Sequence, residues 1–208
     1  MAKLVHLAVY DTLADWEVGH AIAHIRNGAY QTEPGAYEIV TVGESLEPVT
    51  TMGGMRVIPD IALDQLAAEA SAMLILPGAE LWDMGGNGAF AVKAAEFLDA
   101  GVPVAAICGA VAGMARAGLL NERDHTSAVV QYLQAQEGYE GAERYLEEGA
   151  VTGGDLITAG PTAPVEFARE IFARLDLYTP EVLDAWYRLF ANSDASAFEV
   201  LMAAGGRE

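Results

Sequence analysis

Five short runs of β-branched and aliphatic residues, separated by stretches of helical periodicity, constrain the fold of this chain most strongly. They are Leu4 to Val9, Tyr37 to Val42, Ala72 to Leu76, Val102 to Ile107 and Asp155 to Ala159, each bounded by Gly, Pro or charged residues. Strands so continuously apolar need cover on both faces, which a parallel sheet between two helical layers supplies. The expected class is therefore α/β: a three-layer, doubly wound, mostly parallel sheet with helices on both faces.

The intervening segments supply those helices. Asp15 to Asn27 sets Val18, Ala21, Ile22 and Ile25 at core spacing, with Asp15 read as the N-cap. Phe90 to Ala100 reads as a helix closing at Gly101, and Thr162 to Leu175 carries Phe167, Ile171 and Leu175 on one stripe with Pro164 in its first turn. The stretch from Val49 to Ile58, with Gly53-Gly54 at its centre, reads as a hairpin added to the main sheet. A last helix begins at Thr179-Pro180-Glu181, and its stripe of Val182, Leu183, Trp186, Leu189 and Phe190 must cover either its own domain or a second subunit. Residues 1–208 are read as a single domain with a helical extension over about 179–208, without repeats or low-complexity tracts.

Thirty acidic against eleven basic residues leave a net charge of −19, which offers no footprint for phosphate backbones or anionic membrane surfaces. Nucleic acid and membranes are not expected partners. No apolar run approaches the ~20 residues of a membrane span. The single Cys forbids an internal disulfide, and the N-terminus runs straight into a strand without a leader-like layout, so a reducing, cytoplasmic setting is expected.

That Cys occupies a telling position. Val102-Pro103-Val104-Ala105-Ala106-Ile107 is a buried-strand sequence and Ala110 to Ala117 is helix-like up to Gly118, so Cys108-Gly109 is the junction. A nucleophile elbow needs small residues two positions before and after the nucleophile, where strand and helix backbones crowd, and here these are Ala106 and Ala110. Such a turn directs the sulfur at the positive end of the helix and leaves the Gly109 N–H free for a developing oxyanion. A lone Cys is commonly a buried small hydrophobe, but the strand-small-Cys-Gly-small-helix context favours chemistry.

Several motifs then fall in a familiar order: Ala14-Asp15-Trp16-Glu17 after the first strand, Leu76-Pro77-Gly78, Ala105-Ala106-Ile107-Cys108-Gly109-Ala110, Gly118-Leu119-Leu120 followed by His125-Thr126-Ser127, and Thr158-Ala159-Gly160-Pro161-Thr162-Ala163-Pro164. Together they resemble the ThiJ/PfpI superfamily, the class I glutamine-amidotransferase-like group that includes the Parkinson-linked deglycase, intracellular proteases and isocyanide hydratases. The resemblance implies a flavodoxin-like sheet and a small-molecule substrate, and a homodimer is expected because members commonly pair. It also implies a Glu at the start of the first helix approaching the elbow Cys, matched here by Glu17. A protonated Glu17 can donate to a thiolate that an ionised one repels. Backbone N–H groups of Gly109 and of the Pro77-Gly78-Ala79 loop would form the oxyanion hole, with Gly78 and Ala79 as donors.

Two departures are visible. Ala79 stands where many members carry a second Gly, and Gly109 and Ala128 stand where members carry a His. A Cys-His dyad therefore cannot be carried over, and peptidase activity loses support. His125 is near the expected place in sequence, but on a strand its side chain would alternate away from Thr126 and toward the direction of Ser127.

The expected function is Cys-dependent hydrolase, amidase or glyoxalase/deglycase-like lyase chemistry, with Cys108 attacking and Glu17 managing the proton. The alternative is a redox-responsive stress protein whose Cys108 oxidises without turnover. Tyr10, Asp15 and Trp16 are expected to line the pocket. Glu17, His20 and His24 share a helix stripe at metal-ligand spacing, but a His pair on an amphipathic helix is more often packing material, and no metal is expected. Gly53-Gly54 and Gly85-Gly86-Asn87-Gly88 lack the strand-to-helix context of a phosphate loop, so no cofactor is expected either.

Overall fold

All five apolar runs contain strands in the computed structural model, which describes residues 2–205. In chain order the strands are β1 (Lys3–Ala8), β2 (Tyr37–Gly43), β3 (Val49–Thr50), β4 (Arg56–Val57), β5 (Ile61–Ala62), β6 (Ser71–Leu76), β7 (Val104–Ile107), β8 (Ala150–Gly153) and β9 (Leu156–Ala159). The helices are α1 (Asp15–Arg26), α2 (Glu80–Asp83), α3 (Gly88–Asp99), α4 (Gly109–Arg116), α5 (Val130–Gln134), α6 (Pro164–Arg174), α7 (Pro180–Asn192) and α8 (Phe198–Gly205). Seven strands form one sheet in the order β5-β2-β1-β6-β7-β9-β8, parallel throughout except for β8 against β9.

The central strands behave as their composition requires. The last four residues of β6 and all of β7 and β9 are buried, because α1 and α6 cover one face and α3 and α4 the other. The run from Val102 begins its strand two residues late. Pro103 has no N–H to give the ladder, and the Val102 N–H turns back to the Phe97 carbonyl at 2.8 Å. The switch of strand order beside β1 leaves the carboxyl ends of β1, β6 and β7 adjacent, the usual place for a site in an open α/β sheet.

Three expectations need correction. The β3–β4 hairpin forms, but as a separate two-stranded sheet. Its polar groups are taken by the loop after β1: the Thr12 N–H donates to the Thr50 carbonyl at 2.8 Å, Met52 N–H to the Leu13 carbonyl at 2.9 Å, and Thr50 N–H to Asp11 Oδ1 at 2.7 Å. Asp15 is not the N-cap of α1. Ala14 takes that position, and Asp15 turns outward to accept the Gly53 N–H at 2.6 Å, which ties the hairpin to α1. Strands β5 and β8 were not anticipated from periodicity, since two to four residues at a sheet edge are too short to show it.

The C-terminal stripe covers its own chain. Thr179 caps α7 by accepting the Val182 N–H, and fully buried Trp186 stacks on Phe190 and meets Phe172 edge-on, both at 4.9 Å between centroids. The rings of His20 and His24 on α1 complete this cluster, with Trp186 Nε1 donating to His24 Nε2 at 3.2 Å. Positions 206–208 of the expected extension lie outside the described residues. Among the described residues no helix is long and apolar enough to cross a membrane.

Candidate active site

The junction after β7 is a strained turn. Cys108 has φ 58° and ψ −123°, a region that costs a non-glycine residue about 1–3 kcal/mol. The turn is held from both ends: the Cys108 N–H donates to the Ala159 carbonyl of β9, and the Cys108 carbonyl accepts the Val111 N–H of α4, each at 3.0 Å. Ala106 and Ala110 are both fully buried, as the crowding of strand against helix demands. Cys108 itself is partly exposed.

Glu17 arrives from the first turn of α1. Its carboxyl is completely buried; Oε2 accepts the Gly78 N–H at 2.6 Å, while Oε1 has no hydrogen-bond partner. Gly78 lies between this carboxyl and the cysteine. A Cβ built there would stand 2.8 Å from Cys108 Cβ, 2.8 Å from Glu17 Oε2 and 3.0 Å from Oε1, so only glycine allows the two side chains to converge.

The direction of the Gly78 N–H is decided one residue earlier. The Pro77 carbonyl accepts the Tyr10 hydroxyl and, at 3.2 Å, Trp82 Nε1; Trp82 Nε1 also donates to the Tyr10 oxygen at 3.0 Å. A trans peptide sends its C=O and N–H in opposite directions, so pinning the Pro77 carbonyl under Tyr10 and Trp82 aims the Gly78 N–H at Glu17. Tyr10 is therefore a buried brace beneath the turn rather than a pocket wall.

The same bond removes Gly78 from the expected oxyanion donors. The N–H groups of Ala79 and Gly109 remain, and among the described residues neither donates to a backbone carbonyl outside the regular elements. They are close together: a Cβ on Gly109 would lie 3.5 Å from Ala79 N and 3.1 Å from both the Ala79 carbonyl oxygen and Trp82 Cβ. Ala79 adopts φ −159°, ordinary extended backbone, so its departure from the familial glycine costs nothing.

Electrostatics couple the two side chains. Burial pushes the Glu17 carboxyl up to about 7, against the lowering effects of the Gly78 N–H and of Cys108. The thiol is pushed up to about 12 by burial and by the adjacent Glu17 carboxylate, while the Gly109 N–H pulls the other way. The one N–H at the start of α4 is outweighed by desolvation and a neighbouring carboxylate. The upward push from Glu17 exists only while that carboxyl is ionised, so the two groups titrate as a coupled pair.

The remaining sequence candidates are placed elsewhere. His125 is buried with both nitrogens engaged, Nδ1 with the Arg123 carbonyl and Nε2 with the Tyr139 hydroxyl, each at 2.7 Å, and it packs edge-on to Tyr139 and Tyr145. It has no nitrogen left for Cys108. Trp16 is half exposed, with Nε1 donating to the Pro161 carbonyl at 3.2 Å; with Asp15, Met52, Gly53 and Met55 it lines an open surface hollow. The Thr51 hydroxyl and the Gly53 N–H hold the Asp15 carboxyl below its usual range. Glu17 faces Gly78 while His20 and His24 face the aromatic cluster, so their shared stripe does not converge on one point.

Two residues near the cysteine were not found from sequence. Asp83 at the end of α2 adds its charge to the groups acting on the Cys108 thiol, and the Tyr132 hydroxyl of α5 donates to Asp83 Oδ1. Neither sits in a motif; only the folding of α2 and α5 over α4 brings them there.

Against known proteins, a family model described as the DJ-1/PfpI family matches residues 3–174. An uncharacterized protease of Bacillus subtilis, YoaZ, is 37% identical over 202 residues, covering 96% of this chain and 96% of that protein. A glutathione-independent glyoxalase of Caenorhabditis elegans, DJR-1.2, is 27% identical over 153 residues, covering 68% of this chain and 75% of its own length. The crystal structure of a thiJ/pfpI family protein from Bacillus anthracis superposes with a TM-score of 0.91 at 36% identity, covering 98% of this chain and 97% of that one.

Proposed function

The chain belongs to the DJ-1/PfpI family, and on that footing we propose that it is a Cys-dependent enzyme acting on a small carbonyl or amide substrate, as a hydrolase, amidase or glyoxalase/deglycase-like lyase. Cys108 is the nucleophile and Glu17 its proton partner. The observation that carries this reading is the buried, unpartnered Glu17 Oε1 beside a cysteine held in a strained elbow.

In the first step the Glu17 carboxylate takes the thiol proton as sulfur attacks the carbonyl carbon. The S–C bond forms, the C=O π pair moves to oxygen, and the N–H groups of Ala79 and Gly109 receive the resulting oxyanion. Protonated Glu17 then holds the proton needed by the oxyanion or the leaving group. The chemistry uses the chain's own groups. Peptide hydrolysis is disfavoured, because Gly109 stands where peptidase-like members carry a His beside the cysteine and His125 is committed to Arg123 and Tyr139. The partners are a small-molecule substrate and a second copy of the chain; exposed Trp16, Met52 and Met55 support pairing, and the single free Cys supports a cytoplasmic setting.

The test is a turnover screen with methylglyoxal, amides, isocyanides and peptides, run beside Cys108→Ala. Turnover of at least one non-peptide substrate, abolished in the variant, is expected. Turnover that survives in Cys108→Ala would overturn the assignment.

A second reading, a redox-responsive protein without turnover, is favoured by the lack of a His base. Each peroxide would deliver one oxygen to sulfur and leave as water, and protonated Glu17 would donate to the sulfinate. Peroxide titration with intact mass, alongside the screen, separates the two: oxidation at Cys108 with no turnover of any substrate selects this one.

A further inference from the structure

We propose that Asp83, steadied by Tyr132, sets the charge selectivity of the Cys108 mouth, so that neutral or cationic electrophiles reach the sulfur ahead of carboxylates. This rests on the reading of Cys108 as the reactive nucleophile and deepens it to a class of substrate.

The geometry is a built network rather than a chance surface charge. Helix α2 lies directly on the first turn of α4, with Trp82 Cβ 3.1 Å from where a Gly109 Cβ would stand, so Asp83 follows at the rim with its carboxylate exposed. The Tyr132 hydroxyl donates to Asp83 Oδ1. Tyr132 is held in turn by Gln136, whose Nε2 donates to the Tyr132 carbonyl at 2.9 Å and whose Oε1 accepts from Arg116. Arg116 Nη2 closes the circuit on the Trp82 carbonyl at 2.5 Å.

Arg116, the cation of this network, keeps its charge but directs its N–H groups at the Trp82 carbonyl and the Gln136 amide, and it is not among the groups acting on the Cys108 sulfur. It also lines a different hollow, on the Gly85, Gly86 and Gly113 side of Trp82. The groups acting on the Cys108 sulfur are the Glu17 and Asp83 carboxyls and the Gly109 N–H, none of them cationic. On the inner side, the fully buried Glu17 Oε1 has no partner and awaits a donor. An approaching carboxylate thus meets two carboxyl groups and, among the groups acting on the sulfur, no cation, whereas a neutral electrophile escapes that repulsion and an N–H donor meets acceptors.

The test compares Cys108 alkylation by iodoacetamide and iodoacetate, read by intact mass at a single pH. In both reactions sulfur displaces iodide and forms an S–C bond, so the thiolate fraction cancels in the ratio of rate constants. Asp83→Asn is expected to lower the iodoacetamide-to-iodoacetate ratio about three- to tenfold at low salt, with the effect shrinking at high salt. Tyr132→Phe, which loosens Asp83 but keeps its charge, should lower the ratio by less. Glu80→Gln removes the same charge from the exposed start of α2 and should leave the ratio unchanged. An unchanged ratio in Asp83→Asn, or an equal change in Glu80→Gln, overturns the proposal while the nucleophile reading stands. Failure of both reagents to label Cys108 in the wild type overturns the nucleophile reading and this proposal with it.

Discussion

The Glu17 carboxylate accepts a 2.6 Å hydrogen bond from the backbone N–H of Gly78, and that bond brings the first helix and the elbow into one site. Gly78→Ala would put a methyl group 2.8 Å from both Cys108 Cβ and Glu17 Oε2. The backbone there is braced by Tyr10 and Trp82, so the side chains must separate. A loss of about 1–3 kcal/mol in denaturant unfolding is expected. Alkylation of Cys108 should lose its dependence on the charge of residue 17, so that Gly78→Ala and Gly78→Ala/Glu17→Gln share one pH–rate profile.

Glu17→Gln separates the two roles given to that carboxyl. Removing its charge relieves the thiol of the second-largest influence holding it near 12, so the midpoint of the pH profile for thiol modification should move down while burial still keeps it above the ordinary range. Turnover should nevertheless fall by about 10²–10⁴-fold, because the proton acceptor is gone. A midpoint that stays put would show that the two groups are not coupled.

Replacement of Cys108 should reverse the usual order of alanine and glycine. At φ 58° and ψ −123° an alanine retains the backbone strain, whereas glycine adopts the region freely. Cys108→Gly is therefore expected to be about 1 kcal/mol more stable than Cys108→Ala in chemical denaturation, although both are inert. Equal stabilities would mean that the turn is not strained.

Burial, with a smaller contribution from the neighbouring His20, lowers His24 to about 4, below its ordinary value of 6.5. Its folded value lies below its unfolded value, so the unfolded chain takes up the proton first as pH falls. The stability associated with neutral His24 is complete above about 6.5 and declines from there toward 4. With a half-buried ring screened by solvent, the loss should be about 1–2 kcal/mol. His24→Phe should flatten that part of the pH–stability curve, and melting temperatures measured at pH 7, 5.5 and 4.5 for both proteins would reveal it.

Much of this was legible without a structure because it is local. Strand-length apolar runs, Gly101 and Gly118 at helix ends and Thr179-Pro180 at a helix start each act over a few residues, where sterics and hydrogen bonding leave little choice. The elbow is of the same kind, since Ala106, Gly109 and Ala110 announce a place where backbones touch. Such signals place Cys108 between β7 and α4 whatever the rest of the chain does.

Tertiary structure decided everything that depends on where a group points. The Gly78 N–H serves Glu17 rather than an oxyanion because Tyr10 and Trp82, from distant segments, pin the Pro77 carbonyl. His125 looks away because Arg123 and Tyr139 satisfy its ring, and the β3–β4 hairpin leaves the main sheet because the loop after β1 takes its hydrogen bonds. Asp83 and Tyr132 come to the cysteine only through the packing of α2 and α5 on α4. Residue types and spacing prescribe backbone conformation, which is set by near neighbours. The direction of a polar group is set by whichever partner the completed fold brings within about 3 Å.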